Sequence, residues 1–347
     1  MTATPSSPSV PASTALAASS RRLGKLRRLQ RISDTDGFMR VAAIDHPENY
    51  LALFDEDIST VGFEEVVESK LELVRAMSAA CSAVLLDPVW SMGQAVLTQA
   101  VPGSVGIISG LEELAYSPSG FGTQTVVREH WTVPVLARLG ADAAKLVVFF
   151  REELQDVSAS QLALVADLVT QCDEAEVPLV VEPLWYPLEG ESLDDPATRA
   201  LRDEAVVSSA HLFAACGADV MKVEFPGRVG SVAEEQAAAE RCARLDAGLD
   251  VPWVLLSASA TFEQFRTQVG IAASAGACGF MAGRAIWGDA VGRVPAEQRA
   301  AGARTAVQRL QALHSTLREH GRGWTRPATL TEAVDALPAT WHETYGS

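Results

Sequence analysis

Long apolar runs are missing from this chain of 347 residues. None approaches the ~20 residues that a helix needs to cross a bilayer, so no membrane association through a spanning helix is expected. Cysteine is sparse: Cys81, Cys172, Cys216, Cys242 and Cys278 form no CxxC pair. An odd, scattered set argues for reduced thiols and a cytoplasmic location. The six histidines (His46, His130, His211, His314, His320 and His342) show neither HxH nor HExxH spacing, and no metal site is expected. His130, His211 and His342 fall in helix-like contexts and read as structural. Basic residues are outnumbered, with a net charge of −16, which disfavours nucleic acid and anionic membrane as partners. No GxGxxG follows the first apolar run, which argues against a doubly wound dinucleotide-binding sheet. Lysine is the scarcest charged residue. There are four, Lys25, Lys70, Lys145 and Lys222, and every other member of the 28 basic residues is arginine.

What the chain does have is apolar bulk: 48% of it is hydrophobic, mostly Ala, Val and Leu, enough for one large core. Residues 1–20 carry no charge and are rich in Ser, Thr, Ala and Pro; they read as a disordered leader ahead of a single domain spanning 21–347. The basic stretch Arg21–Arg31 follows that leader, the reverse of a signal peptide's order. A short helix is predicted over 22–31. From there apolar runs alternate with amphipathic segments. Strands are predicted at 41–45, 83–87, 105–109, 145–150, 178–182, 218–224, 252–257 and 278–283. Helices are predicted at 63–80, 126–139, 158–176, 203–217, 231–247 and 261–275, with 296–320 and 329–337 closing the chain. Eight buried strands with intervening helices predict an α/β fold, a (β/α)8 TIM barrel. The strand ends Asp45, Asp87, Glu182, Glu224, Ser257 and Gly283 would then meet on one face, where barrels place their chemistry.

Two of the four lysines stand inside apolar runs, at Lys145 and Lys222. Burying an ammonium is costly unless it is paired or neutralised. A desolvated lysine can act as a nucleophile, which arginine cannot. Strand alternation puts Val220, Lys222 and Glu224 on one face and Met221, Val223 and Phe225 on the other. The second set suits packing against helices, so Lys222 and Glu224 should point inward. Two readings of Lys222 follow: a Schiff-base nucleophile, or an ion-pair partner of a carboxylate such as Glu224. Lys145 nearby would lower the pKa of both amines by like-charge repulsion and keep Lys222 unprotonated. Glu182 is the general acid/base candidate. Asp45 and Asp87 are read as hydrogen-bonding substrate hydroxyls or tuning Lys222, and His46 as contacting substrate or capping its loop. The small-residue turns Ser257-Ala258-Ser259 and Gly283-Arg284 suit an anion, with Arg284 adding a charge-assisted pair. Arg228 is read as reaching the other end of a substrate.

The ordered set of these segments resembles the class I tagatose-1,6-bisphosphate aldolases of the LacD type and their relatives that cleave sulfofructose 1-phosphate. The matching pieces include Ala43-Ile-Asp45, Val84-Leu-Leu-Asp-Pro88, Gly140-Ala-Asp-Ala-Ala-Lys-Leu146, Pro178-Leu-Val-Val-Glu-Pro183, Asp219-Val-Met-Lys-Val-Glu-Phe-Pro226 and Pro252-Trp-Val-Leu-Leu-Ser-Ala258, with Gly283-Arg-Ala-Ile-Trp287 after them. The resemblance implies Schiff-base chemistry on Lys222 without a metal or other cofactor. It further implies Glu182 and Lys145 as acid/base partners, Asp45 as a substrate contact, and Ser257 and Arg284 as phosphate ligands. The implied partner is a sugar phosphate or sulfosugar phosphate, cleaved to dihydroxyacetone phosphate and an aldehyde such as glyceraldehyde 3-phosphate. Self-association into a homo-oligomer is also expected. Two places depart from the family pattern. Asp45-His-Pro-Glu48 replaces Asp-Gln-Arg-Gly, and Leu256-Ser-Ala-Ser259 replaces Leu-Ser-Ala-Gly. A rival of another class is a non-catalytic sugar-phosphate sensor, which would have no need of a buried nucleophile.

Overall fold

Eight apolar segments close into a parallel barrel in the computed structural model, which describes residues 23–113, 124–258 and 260–345. The expected leader at 1–20 and the candidate Ser259 lie outside the described residues. The barrel strands are β1 (Met39–Ile44), β2 (Ala83–Leu86), β3 (Gly106–Gly110), β6 (Ala143–Phe149), β7 (Leu179–Leu184), β8 (Val220–Val223), β9 (Trp253–Leu256) and β10 (Gly279–Ala282). A two-stranded ribbon, β4 (Glu112–Glu113) with β5 (Val126–Val127), follows β3. Neighbours in the barrel are consecutive along the chain, and β1 pairs with both β2 and β10 to close it. Such strands are covered on both faces, which is why they read as unbroken Val, Leu and Ala runs.

Alternation divides each strand between two cores. Met221 and Val223 face outward into the large cluster shared with the helices. Val41, Leu85, Ile108, Val180, Val220 and Val254 face inward as a separate barrel core. Below it the helix Leu23–Arg31 and the residue that follows it plug the barrel floor with Leu29 and Ile32. Lys25 on that helix is buried and reaches Asp173 (2.6 Å) and Asp219 (2.7 Å). The inward positions above the apolar layer are left to Lys145, Glu182 and Lys222, so the sheet's own parity lifts the charged side chains to the C-terminal mouth.

The helices begin where their caps dictate. Asp195 accepts from the Thr198 N–H and precedes Pro196, so the helix Pro196–Ala215 starts seven residues before the expected position 203. Thr261 and Gln264 form a reciprocal capping box on Phe262–Ala275. The expected helix over 126–139 is corrected. Only Val133–Leu139 is helical, with Pro134 in its first turn, while Val126–Val127 pair antiparallel with Glu112–Glu113. Proline suits a helix start and clashes in an interior, and the β-branched pair upstream favours a strand. No described helix is long and apolar enough to cross a membrane.

Candidate active site

Four strands bring their charges to one point. Lys145 rises from β6, Glu182 from β7, Lys222 from β8, and Asp45 stands just past β1. All four are buried. Both ammonium groups reach the same carboxylate oxygen: Lys222 Nζ lies 2.8 Å and Lys145 Nζ 2.9 Å from Glu182 Oε2. Lys145 also donates to Asp45 Oδ2 at 2.9 Å and to Glu112 Oε1 at 2.6 Å. The other oxygen of Asp45 lies 3.0 Å from His46 Nδ1.

These contacts set the protonation states. Burial pushes the Lys145 ammonium down, but Asp45, Glu112 and Glu182 outweigh it and hold its pKa well above the ordinary lysine value. The expectation that the two lysines depress one another is therefore corrected for Lys145: three carboxylates around one ammonium dominate over a neighbouring amine. Burial raises Asp45, yet His46, Lys145 and Lys222 bring it well below the usual carboxylate range. Glu182 is likewise raised by burial and brought below its ordinary value by Lys145 and Lys222. Lys145 is thus a fixed charge, and Glu182 an ionised acceptor, at neutral pH.

Above this cluster opens a cavity of about 240 Å³. Asp45, His46, Glu182, Lys222, Glu224, Ser257, Ala258, Gly283 and Arg284 line it. Strand-end geometry shapes its rim. Gly283 donates its N–H to Ser257 Oγ (3.3 Å), tying the β9 and β10 ends together. A side chain at 283 would come within 3.2 Å of the Ala43 carbonyl oxygen. Ala258 holds a left-handed backbone with φ of 45°, a conformation costly for any residue with a Cβ and one that turns the chain sharply around the cavity. Trp287 walls the cavity and is fixed by its indole N–H on the Ala43 carbonyl (2.8 Å). Arg284 is exposed at the mouth and makes no ion pair among the described residues.

Two expected site residues stand elsewhere. Asp87 accepts from Lys70 Nζ (2.5 Å), Ser91 Oγ (2.9 Å) and the Trp90 N–H (2.6 Å), and lies outside the cavity lining. Arg228 points to solvent, 3.7 Å from Glu234. Glu224 does border the cavity, but its partner is Arg202 (2.9 Å), not Lys222. Sequence reasoning missed Glu112, the third carboxylate on Lys145, and the wall residues Asn49, Leu184, Leu256, Met281 and Trp287. Glu112 follows the end of β3 by two residues, much as Asp45 follows β1, but the weak apolar pattern of β3 left that position looking like ordinary surface acid.

Residues 41–289 match the family model described as DeoC/LacD family aldolase. Among curated proteins the chain is similar to tagatose 1,6-diphosphate aldolase 2 of Streptococcus mutans serotype c, 26% identical over 341 residues that cover 88% of this chain and 98% of that protein. It is similar also to the tagatose 1,6-diphosphate aldolase of Lactococcus lactis subsp. lactis, 23% identical over 284 residues, 77% of this chain and 86% of that one. Among solved structures it shares its fold with an archaeal fructose 1,6-bisphosphate aldolase, at a TM-score of 0.58 and 19% identity over 85% of this chain and 99% of the other. The fructose-bisphosphate aldolase of Slackia heliotrinireducens gives a TM-score of 0.60 at 17% identity, covering 95% of each chain.

Proposed function

The chain belongs to the DeoC/LacD family of aldolases and is a class I carbon–carbon lyase, and from that premise we propose that it cleaves a phosphorylated ketose through a Schiff base on Lys222. The observation that carries this reading is the shared oxygen: Lys222 and Lys145 converge on Glu182 Oε2 at 2.8 and 2.9 Å in a buried setting. A sugar-binding module has no use for an amine held beside a carboxylate that is itself held ionised.

In the proposed sequence Lys222 gives its ammonium proton to Glu182, and the free amine adds to the C2 carbonyl carbon of the ketose. The carbinolamine hydroxyl leaves as water with a proton from Glu182, forming an iminium. Glu182, again a carboxylate, takes the C4 hydroxyl proton. The C3–C4 bond breaks, and its electron pair moves into the iminium to give an enamine. The aldehyde departs. Protonation of the enamine at C3 and hydrolysis of the iminium return Lys222 and release dihydroxyacetone phosphate. Lys145, charged throughout, keeps Glu182 oriented, and Asp45 with His46 meets the substrate hydroxyls. Arg284 and the Ser257 hydroxyl receive the phosphate. This chemistry uses no metal.

Borohydride reduction in the presence of dihydroxyacetone phosphate, followed by intact mass and peptide mapping, tests the reading. A reduced adduct on Lys222 is expected. An adduct on another residue, or none at all, would sink it. Tagatose 1,6-bisphosphate, after which the curated relatives are named, and sulfofructose 1-phosphate are the first ketoses to assay for turnover.

A further inference from the structure

The charge lining the cavity limits what the far end of the ketose can carry. Three carboxylates border it, Asp45, Glu182 and Glu224, against two permanent cations or amines, Lys222 and Arg284. Lys222 is committed to Glu182 and His46 to Asp45. Arg284 is the one cation of the lining without an ion pair among the described residues.

Two other arginines are already engaged. Arg202 is held by Glu224 and Asp203, each at 2.9 Å. Arg151 is buried and held by Glu191 (2.6 Å) and Glu153 (3.0 Å). Residues 114–123, which join β4 to β5, contain no lysine, arginine or histidine. On the β7 and β8 side, away from β10 and Arg284, the cavity offers Leu184 and Glu224. Glu224 Oε1 accepts from Arg202, and its Oε2 is buried with no hydrogen-bond partner among the described residues. A carboxylate at the cavity wall tolerates a neutral hydroxylated group and repels a phosphate or sulfonate.

We propose that the substrate is a ketose monophosphate: a single phosphate, on the dihydroxyacetone half, bound by Arg284, and an uncharged hydroxylated far end that meets Leu184 and Glu224. This rests on the aldolase reading and narrows it, since the aldehyde released would then be neutral.

The test compares kcat/KM of the full chain for fructose 1-phosphate and tagatose 1-phosphate against the corresponding 1,6-bisphosphates at fixed ionic strength. At least one 1-phosphate is expected to exceed its bisphosphate by about tenfold or more, because like charges brought together in a desolvated site are strongly disfavoured. A smaller ratio for both sugars, or a preference for the bisphosphates, overturns the proposal. Leu184→Arg adds a guanidinium on the β7 side and should move the ratio toward the bisphosphates by about tenfold; an unmoved ratio also overturns it. Borohydride trapping with dihydroxyacetone phosphate separates the two levels. An adduct on Lys222 without the selectivity removes this proposal and keeps the aldolase. No adduct and no cleavage of any of the four sugars removes both.

Discussion

Lys145 has three carboxylates around it, and Glu112 makes the shortest of the three contacts, at 2.6 Å against 2.9 Å for Asp45 and Glu182. Its other oxygen is buried with no hydrogen-bond partner among the described residues, so Lys145 is the carboxylate's one partner among them. Glu112→Ala leaves a buried ammonium with two partners instead of three. The expected loss is about 2–3 kcal/mol, below the ~3–5 kcal/mol of a buried pair broken outright. Glu112→Gln keeps an acceptor and should recover about half of it. Urea unfolding measures both, and a loss for Glu112→Ala within about 0.5 kcal/mol of zero would show that Asp45 and Glu182 suffice. The same residue marks the limit of reading the site from sequence. Lys222, Lys145 and Glu182 were legible because charge inside an apolar strand has few explanations. Glu112-Glu113 looks like ordinary surface acid beside a weak strand, and only the fold turns Glu112 onto Lys145. Asp87 shows the converse. Its partner Lys70 lies on the buried stripe of the helix Phe63–Met77, four residues from both Val66 and Val74, so the pattern that takes Asp87 out of the cavity was present but is easily read as amphipathic surface.

At the scale of elements, the closure of the barrel depends on how near β10 approaches β1. Met39 and Gly279 are register partners, and a Cβ built on Gly279 would fall 2.0 Å from the Met39 carbonyl oxygen. That contact is backbone on backbone and cannot be relieved by a rotamer change. Gly279→Ala must push the two strands apart, at a cost of about 3 kcal/mol, the upper end for overpacking. Gly279 lies at the floor of the barrel, one strand length below the lysines, so kcat per trapped active site should hold while the urea midpoint falls. A fall in kcat with an unchanged midpoint would mean that the floor and the mouth are coupled. The strands themselves were legible, since burial on both faces leaves eight unbroken apolar runs, and parity then assigned Met221 and Val223 to the helices and Lys222 to the interior. The ribbon β4–β5 was not. Two-residue strands carry no periodicity, and Val126–Val127 could only be placed once Glu112–Glu113 was known to lie beside them.

For the whole molecule, the charge cluster at the mouth predicts the shape of stability against pH. The carboxyls of Asp45 and Glu182 lie below their ordinary values in the folded chain. Their contribution is therefore complete above the unfolded values of about 4 and is lost as pH falls through the folded ones. Lys145 is raised, so its contribution is complete below about 10.4 and is lost as pH rises through its folded value. Asp219 at the floor works the other way: burial raises it despite Lys25, and it favours the folded state most at acid pH. The cluster at the mouth holds more groups than the floor, and stability should form a plateau between about pH 5 and 10 that falls at both ends. Lys145→Met removes the alkaline shoulder due to that ammonium. It also strips Asp45 and Glu182 of a main positive neighbour, so their folded pKa values climb and the acid fall begins about one pH unit or more higher. The net charge of −16 offers a competing origin for any acid effect, through long-range repulsion between surface carboxylates. Salt distinguishes the two. Surface repulsion is screened within a Debye length of roughly 3 Å at 1 M ionic strength, whereas a cluster of contacts under 3 Å in a buried pocket is screened far less. Thermal melts from pH 3 to 7 at low salt and at 1 M should show the same displacement between wild type and Lys145→Met. A displacement that vanishes in salt would assign acid stability to the surface and not to the lysine that shares Glu182 with Lys222.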